Sequence, residues 1–195
     1  MKILRAEHLG MCFGVRDAIA LTRQHAADGP VTVLGDLVHN ETVLQDLRRR
    51  GVLIRQDAAD ATTRRVIITA HGASQRRTDN VQSMGFLVTD ATCPLVHRAH
   101  QALFGLVQLG FHPVVIGQRH HVEVRGLTED HPGCDVVLSE ADVDALTPRS
   151  RFGVVSQTTQ PLARVRELVQ LLRQRFPEAE VRWVDTVCRP TKERQ

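Results

Sequence analysis

Nine short apolar or β-branched runs, spaced by stretches of helical patterning, constrain the fold of this chain more than any other feature. They are KILRA (2–6), VTVL (31–34), VLI (52–54), VIITA (66–70), FLVTD (86–90), PVVI (113–116), DVVL (135–138), FGVVS (152–156) and VRWV (181–184). Helical spacing is clearest over 15–27, 41–50, 95–109, 139–146 and 161–176. A strand followed by a helix and another strand closes as a crossover, which makes neighbouring strands parallel and puts helices on both faces. The expected fold class is therefore α/β, with repeated small units and mostly parallel sheets. Ser139 and Asp142 read as a capping box, Pro161 suits a first helical position, and Arg48, Arg49 and Arg50 before Gly51 read as the solvated last turn of a helix.

Composition narrows the function classes. The 195 residues are 42% hydrophobic and 24% charged, enough for one sizeable domain or two small ones. Twenty-five Lys and Arg against 22 Asp and Glu are spread along the chain, and six Phe, one Trp and no Tyr leave little to stack on bases, so a nucleic-acid partner is not expected. The N-terminal apolar run is too short for a signal peptide and no segment reaches a membrane span, so a cytoplasmic protein without a membrane partner is expected. Cys12, Cys93, Cys134 and Cys188 form no close C-x-x-C pair, which argues against a local zinc knuckle and, in a reducing compartment, against disulfides.

Ligands of parallel sheets bind beyond the carboxyl ends of the strands. Those ends hold His39 after VTVL, His71 after VIITA, Cys93 after FLVTD, His121 and Glu123 after PVVI, Thr158 after FGVVS and Cys188 after VRWV, while Cys12 follows KILRA. His25, His97, His100, His112 and His131 fall in helices, at strand starts or in loops and read as surface or packing residues. The stretches VTDATCPL (88–95) and WVDTVCRP (183–190) echo each other: each runs from a strand through Asp and two residues to Cys at a helix start.

A thiol at a helix N-terminus is favoured as thiolate, although a lone cysteine is more often a small hydrophobe. Three such thiols brought together without a fourth suit an iron–sulfur cluster with one open iron, and zinc is the competing metal. The histidines and Thr158 offer donors to a phosphate or diphosphate, and Glu123 offers a proton.

Taken in order, GMCFGVRDAI, LVHN, AHGAS, DATCPLV, HHVEVRG, SQTT and DTVC followed by RPTKERQ resemble the 4-hydroxy-3-methylbut-2-enyl diphosphate reductase family, over essentially the whole chain. The resemblance implies that Cys12, Cys93 and Cys188 hold a 4Fe-4S cluster and that His39, His71 and His121 bind the substrate diphosphate. Glu123 would deliver a proton to the leaving hydroxyl, with Thr158 positioning or relaying it. Ferredoxin or flavodoxin would supply electrons, giving isopentenyl and dimethylallyl diphosphate, and Cys134 would have no role.

The expected division is a strand over 1–12, a first α/β domain over 13–96, a second over 97–187, and a stub over 188–195 of a missing third domain. That third unit carries further phosphate-gripping residues in the family, a Ser-x-Asn motif and another serine. A chain without it is expected to be poorly tethered over 1–12 and to be in doubt as a catalyst. The family's G-H-x-x-H-P-E reads GQRHHVE here, with Gln118 and Val122 as departures. A non-catalytic cluster-binding or redox-sensing protein and a zinc-stabilised domain remain the other classes these residues fit.

Overall fold

Each crossover anticipated by the alternation closes a parallel pair. The computed structural model describes residues 10–195, so the run at 2–6 lies outside the described residues. The first sheet contains β1 (Thr32–Leu34), β2 (Leu53–Arg55), β3 (Arg65–Ile68) and β4 (Leu87–Asp90) in the order β2-β1-β3-β4. The second contains β5 (His112–Ile116), β6 (Asp135–Val137), β7 (Arg151–Ser156) and β8 (Glu180–Trp183) in the order β6-β5-β7-β8. Every pair is parallel, with Thr32 opposite both Leu53 and Val66 in one sheet and Val114 opposite both Asp135 and Val154 in the other.

Helices α1 (Phe13–Ala27), α2 (Glu41–Arg49) and α3 (Gln75–Ser83) accompany the first sheet. The second has α4 (Pro94–Gln108), α5 (Val122–Glu129), α6 (Glu140–Asp144), α7 (Leu162–Arg175) and the short α8 (Arg189–Lys192). Central strands covered on both sides carry unbroken buried runs, as in Val33 and Ile67 of one sheet and Phe152, Val154 and Val155 of the other, each fully buried. Each such side chain contributes roughly 1.5–3 kcal/mol of transfer free energy. At the sheet edges, β8 alternates instead between exposed and half-buried positions, and β4 is exposed at both ends and half-buried between them.

Local signals act as expected at most ends. Ser139 accepts the amide of Asp142 while the Asp142 carboxylate accepts the amide of Ser139, completing the capping box. Arg48 and Arg49 close α2 in the exposed last turn. Pro161 is the residue before the helix and not its first turn: its ψ of 122° is extended, so α7 starts at Leu162, with the Pro161 carbonyl accepting the amide of Val165.

Two helices carry no clear sequence signal. In α3 only Val81 is buried, so no apolar stripe marks it, and its start is set by Ser74 accepting the amide of Arg77. Helix α5 is eight residues long with Gly126 inside it, and that glycine lies against the backbone of Ala73 from the first unit. The units are pinned there: Ser74 Oγ donates to Glu129, and Asp130 accepts the amides of Gln75 and Arg76 at the start of α3. Among the described residues no helix is long and apolar enough to cross a membrane.

Candidate functional site

In both sheets the chain leaves a central strand in one direction and returns on the other side, so the switch points lie between β1 and β3 and between β5 and β7. Crevices outside the carboxyl ends at such points receive ligands. His39 follows β1 and His71 follows β3; His121 and Glu123 follow β5 and Thr158 follows β7. The two switch points face each other across the unit boundary. His39 and His71 stack with ring centroids 4.2 Å apart, and His121 comes edge-on, its Nε2 3.2 Å from His39 Nε2.

The protonation of this cluster follows from its surroundings. Burial, with the neighbouring His39 and His121 adding to it, pushes His71 down to about 3, and its Nε2 is buried without a hydrogen-bond partner among the described residues. Burial and then His39 also push His121 down. His121 caps α5, its Nδ1 accepting the amide of Glu123 at 3.1 Å, which leaves Nε2 facing the other imidazoles. His39 and His121 open on a cleft of about 600 Å³ that Arg77, Arg119 and Arg125 also line, together with Gln118 and Val122 at the two departures from the family pattern.

Glu123 is 2% exposed. Its Oε1 accepts the Thr158 amide at 2.6 Å and its Oε2 lies 3.1 Å from the Thr158 hydroxyl. Burial raises the carboxyl to about 7 although both Thr158 contacts pull it down, so it holds a proton close to neutral pH. The loop bearing Thr158 is braced by a residue the sequence reading did not single out. Gln157, buried, accepts from the Gln118 amide and from Gln160 and donates to Thr159. Only the amide-rich sequence SQTTQ at 156–160 hints at this.

The three cysteines of the reading each precede a helix: Cys12 before α1, Cys93 before α4 and Cys188 before α8, none with its side chain in a cap hydrogen bond. The sequence echo is a structural one. Asp90 accepts the Thr92 amide and Asp185 the Val187 amide, and each turn delivers the cysteine that follows into the loop of the neighbouring strand. There the Cys93 amide donates to Ala70 O beside His71, and the Cys188 amide donates to Thr158 O.

Cys12 joins them through α1. A Cβ on Gly14 would lie 2.4 Å from Cys93 Sγ, so the absence of a side chain there lets the two segments meet. Arg194 after α8 donates to Gly10 O, two residues before Cys12. Nothing in the periodicity of the sequence marks Gly14. Burial raises the Cys93 thiol, with the amides of Leu95 and Val96 opposing and the charges of Cys12 and Cys188 adding to the rise. The helix start therefore does not by itself keep this thiol ionised; burial outweighs it.

The spacing of the sulfurs bears on which metal they suit. A tetrahedral zinc ion with bonds of about 2.3 Å holds its sulfurs about 3.8 Å apart. Among the described residues, the three histidines are the group whose ligand atoms all fall within 4.8 Å, and the cysteines do not form such a group. Three thiols that sense one another's charge at greater spacing fit a larger inorganic core better than a single ion. Cys134 lies apart, its buried thiol pushed up to about 12, which leaves it unreactive.

A family model described as LytB protein matches residues 3–195. The chain is 34% identical, over its whole length and 72% of the relative's, to the 4-hydroxy-3-methylbut-2-enyl diphosphate reductase of Opitutus terrae. It is 36% identical to the protein of the same name from Dehalococcoides mccartyi, again over its whole length and 70% of that relative's. Among solved structures, the E-1-hydroxy-2-methyl-but-2-enyl-4-diphosphate reductase of Plasmodium falciparum superposes with a TM-score of 0.87 at 28% identity, over 95% of this chain and 60% of that one. A second, described as (E)-4-hydroxy-3-methyl-but-2-enyl diphosphate reductase, the terminal enzyme of the non-mevalonate pathway, superposes at 0.85 with 31% identity over 99% of this chain and 70% of that one.

Proposed function

The chain belongs to the LytB protein family, and from that premise we propose that it acts as a 4-hydroxy-3-methylbut-2-enyl diphosphate reductase, an oxidoreductase of isoprenoid synthesis. The reaction takes up two electrons and two protons, breaks the allylic C–O bond, releases water and leaves isopentenyl or dimethylallyl diphosphate. Cys12, Cys93 and Cys188 hold a 4Fe-4S cluster in this reading. When bound, the cluster supplies electrons and Lewis acidity. A small protein of the ferredoxin or flavodoxin kind delivers the electrons. The division into a first unit to about residue 96 and a second to about 187 belongs to the same reading.

The chain's own residues divide the remaining work. His39, His71 and His121 present ring N–H donors to the diphosphate, which brings the negative charge that their close packing lacks. Glu123 carries a proton on a buried carboxyl and passes it through the hydroxyl of Thr158, 3.1 Å from Oε2, toward the departing oxygen. The Thr158 amide bond keeps Glu123 aimed at that hydroxyl, and the Thr158 carbonyl holds the Cys188 corner.

That single linkage supports the reading most: the buried acid and a cluster-holding corner share one residue, Thr158. A protein that only stored a cluster would have no use for a protonated carboxyl beside it. The test is to load the chain with iron and sulfide without oxygen, supply the allylic substrate and a low-potential one-electron reductant, and analyse the products. Both isomeric diphosphates are expected, and Glu123→Gln is expected to lower their formation on the order of 100-fold or more with iron content unchanged. Product formation that survives Glu123→Gln overturns the role of Glu123, and a chain that takes up neither iron nor diphosphate overturns the function.

A further inference from the structure

Two of the cysteine corners are built alike, down to a clasp the mechanism does not use. Asp90, Cys93 and His97 recur at the same spacing as Asp185, Cys188 and Lys192. In each corner one carboxylate oxygen accepts a loop amide while the other meets the basic side chain: His97 Nε2 lies 3.0 Å from Asp90 Oδ2, and Lys192 Nζ lies 2.8 Å from Asp185 Oδ2. The clasp ties the first turn of each helix to the loop that carries its cysteine.

Within that common frame the residues beside the sulfur differ. The third residue after each cysteine is Val15 in α1, Val96 in α4 and Thr191 in α8. Valine and threonine have nearly the same shape, so α8 exchanges a methyl for a hydroxyl. Thr191 Oγ1 lies 3.0 Å from Cys188 Sγ. Thr22, Thr78 and Thr128, further along their helices, turn their hydroxyls to the carbonyl four residues back. Thr191 turns its own to sulfur. The position before it gives the reason. The Cys93 sulfur is reached by the backbone amides of Leu95 and Val96. The counterpart of Leu95 in α8 is Pro190, which has no N–H to give, and the Thr191 hydroxyl supplies a donor where that amide is missing.

We propose that Thr191 is a positioning residue that sets how readily the cluster is reduced, by donating its hydroxyl hydrogen to the Cys188 sulfur. This deepens the reductase reading and rests on it for the cluster itself. A thiolate that ligates metal carries no proton, so the hydroxyl is the donor in this pair. Reduction adds negative charge to the core and its sulfurs, and a hydrogen bond to sulfur stabilises that charge, which raises the potential. The O–H bond stays intact, and the only change is one electron gained from the reductant.

The experiment uses the chain loaded with iron and sulfide without oxygen, titrated with dithionite in the presence of redox mediators and followed by electron paramagnetic resonance, with iron content measured alongside. Thr191→Val gives α8 the residue that α1 and α4 already hold at this position, so it keeps the fold. It is expected to retain its iron and to lower the equilibrium constant for one-electron reduction roughly 3- to 10-fold, a midpoint about 30–60 mV more negative. Thr191→Ser restores the hydroxyl and is expected to return the midpoint to that of the unaltered chain. An unchanged midpoint in Thr191→Val overturns this inference alone, as does a Thr191→Ser midpoint that stays with that of Thr191→Val. Loss of iron from Thr191→Val overturns it too, because the hydroxyl then holds the ligand and does not tune it. An unaltered chain that takes up no cluster overturns the functional reading, and this inference falls with it.

Discussion

The two sheets have the same strand order and the same cysteine corner, yet they place different chemistry at equivalent switch points. The first sheet offers His39 after β1 and His71 after β3, both imidazoles. The second offers His121 and Glu123 after β5 and Thr158 after β7, adding a carboxyl and a hydroxyl that bond each other. Burial acts on both halves with opposite results. It strips the proton from His71 and keeps one on Glu123, because in each case the neutral form is the one a low-dielectric site prefers. Duplicated architecture thus fixes where groups stand, and the few side chains at the switch points decide whether a half grips an anion or handles a proton.

If that division holds, substitutions in the two halves should separate in kinetics, the acid having the largest effect. Glu123→Gln should fall mainly on kcat, as proposed above. Thr158→Val should lower kcat by about 10- to 100-fold with KM little changed, and Thr158→Ser should recover most of it, since the hydroxyl and not the methyl relays the proton. His71→Asn should instead raise KM by about 10-fold with a smaller change in kcat. Steady-state kinetics of the cluster-loaded variants check all of these, and a Thr158→Val variant defective only in KM would break the comparison.

The pH dependence of stability sharpens it further. Glu123, raised to about 7 from 4.5, binds more protons folded than unfolded between those values, so its contribution to stability falls as pH rises through the window. His71, lowered to about 3 from 6.5, binds fewer protons folded, so its contribution rises with pH between those values. The two oppose each other between 4.5 and 6.5, each by at most about 1.4 kcal/mol per pH unit. Urea unfolding of metal-free protein across this range should become more stabilised by rising pH in Glu123→Gln and less so in His71→Asn. Slopes that move in the same direction would contradict the opposite proton uptake of the two groups on folding.

The smallest effect is expected at the strap between the units. Asp130→Asn weakens the two amide bonds at the start of α3 and should cost about 1 kcal/mol in unfolding, without altering iron uptake. A loss of iron there would mean that the strap, and not the cysteine corners, sets the distance between the halves.

Much of this was legible in the sequence because it is written locally. Eight of the strand runs, the capping box at Ser139 and the repeated Asp-x-x-Cys corners depend on neighbours a few residues away. Rim residues could be picked out because a parallel sheet puts its ligand side at the carboxyl ends, which follows from strand positions alone. Helices α3 and α5 were not legible: one buries a single side chain and the other is held by contacts with the opposite unit. The same applies to Gly14, whose missing Cβ matters only because Cys93 Sγ lies there, and to Gln157, which accepts the amide of Gln118, 39 residues away in the sequence. That His39 reaches His121 across the boundary could be anticipated only from the family pattern, since no local rule sets how two sheets dock.

The account rests on three cysteines, remote in the chain, gripping one inorganic core. Mössbauer spectra and iron content of anaerobically reconstituted protein test it directly in four single Cys→Ser variants. The prediction is close to one four-iron cluster per chain in the unaltered protein and in Cys134→Ser, with content sharply reduced in Cys12→Ser, Cys93→Ser and Cys188→Ser. Equal loss in all four, or retention of the cluster when any of those three is replaced, would contradict it.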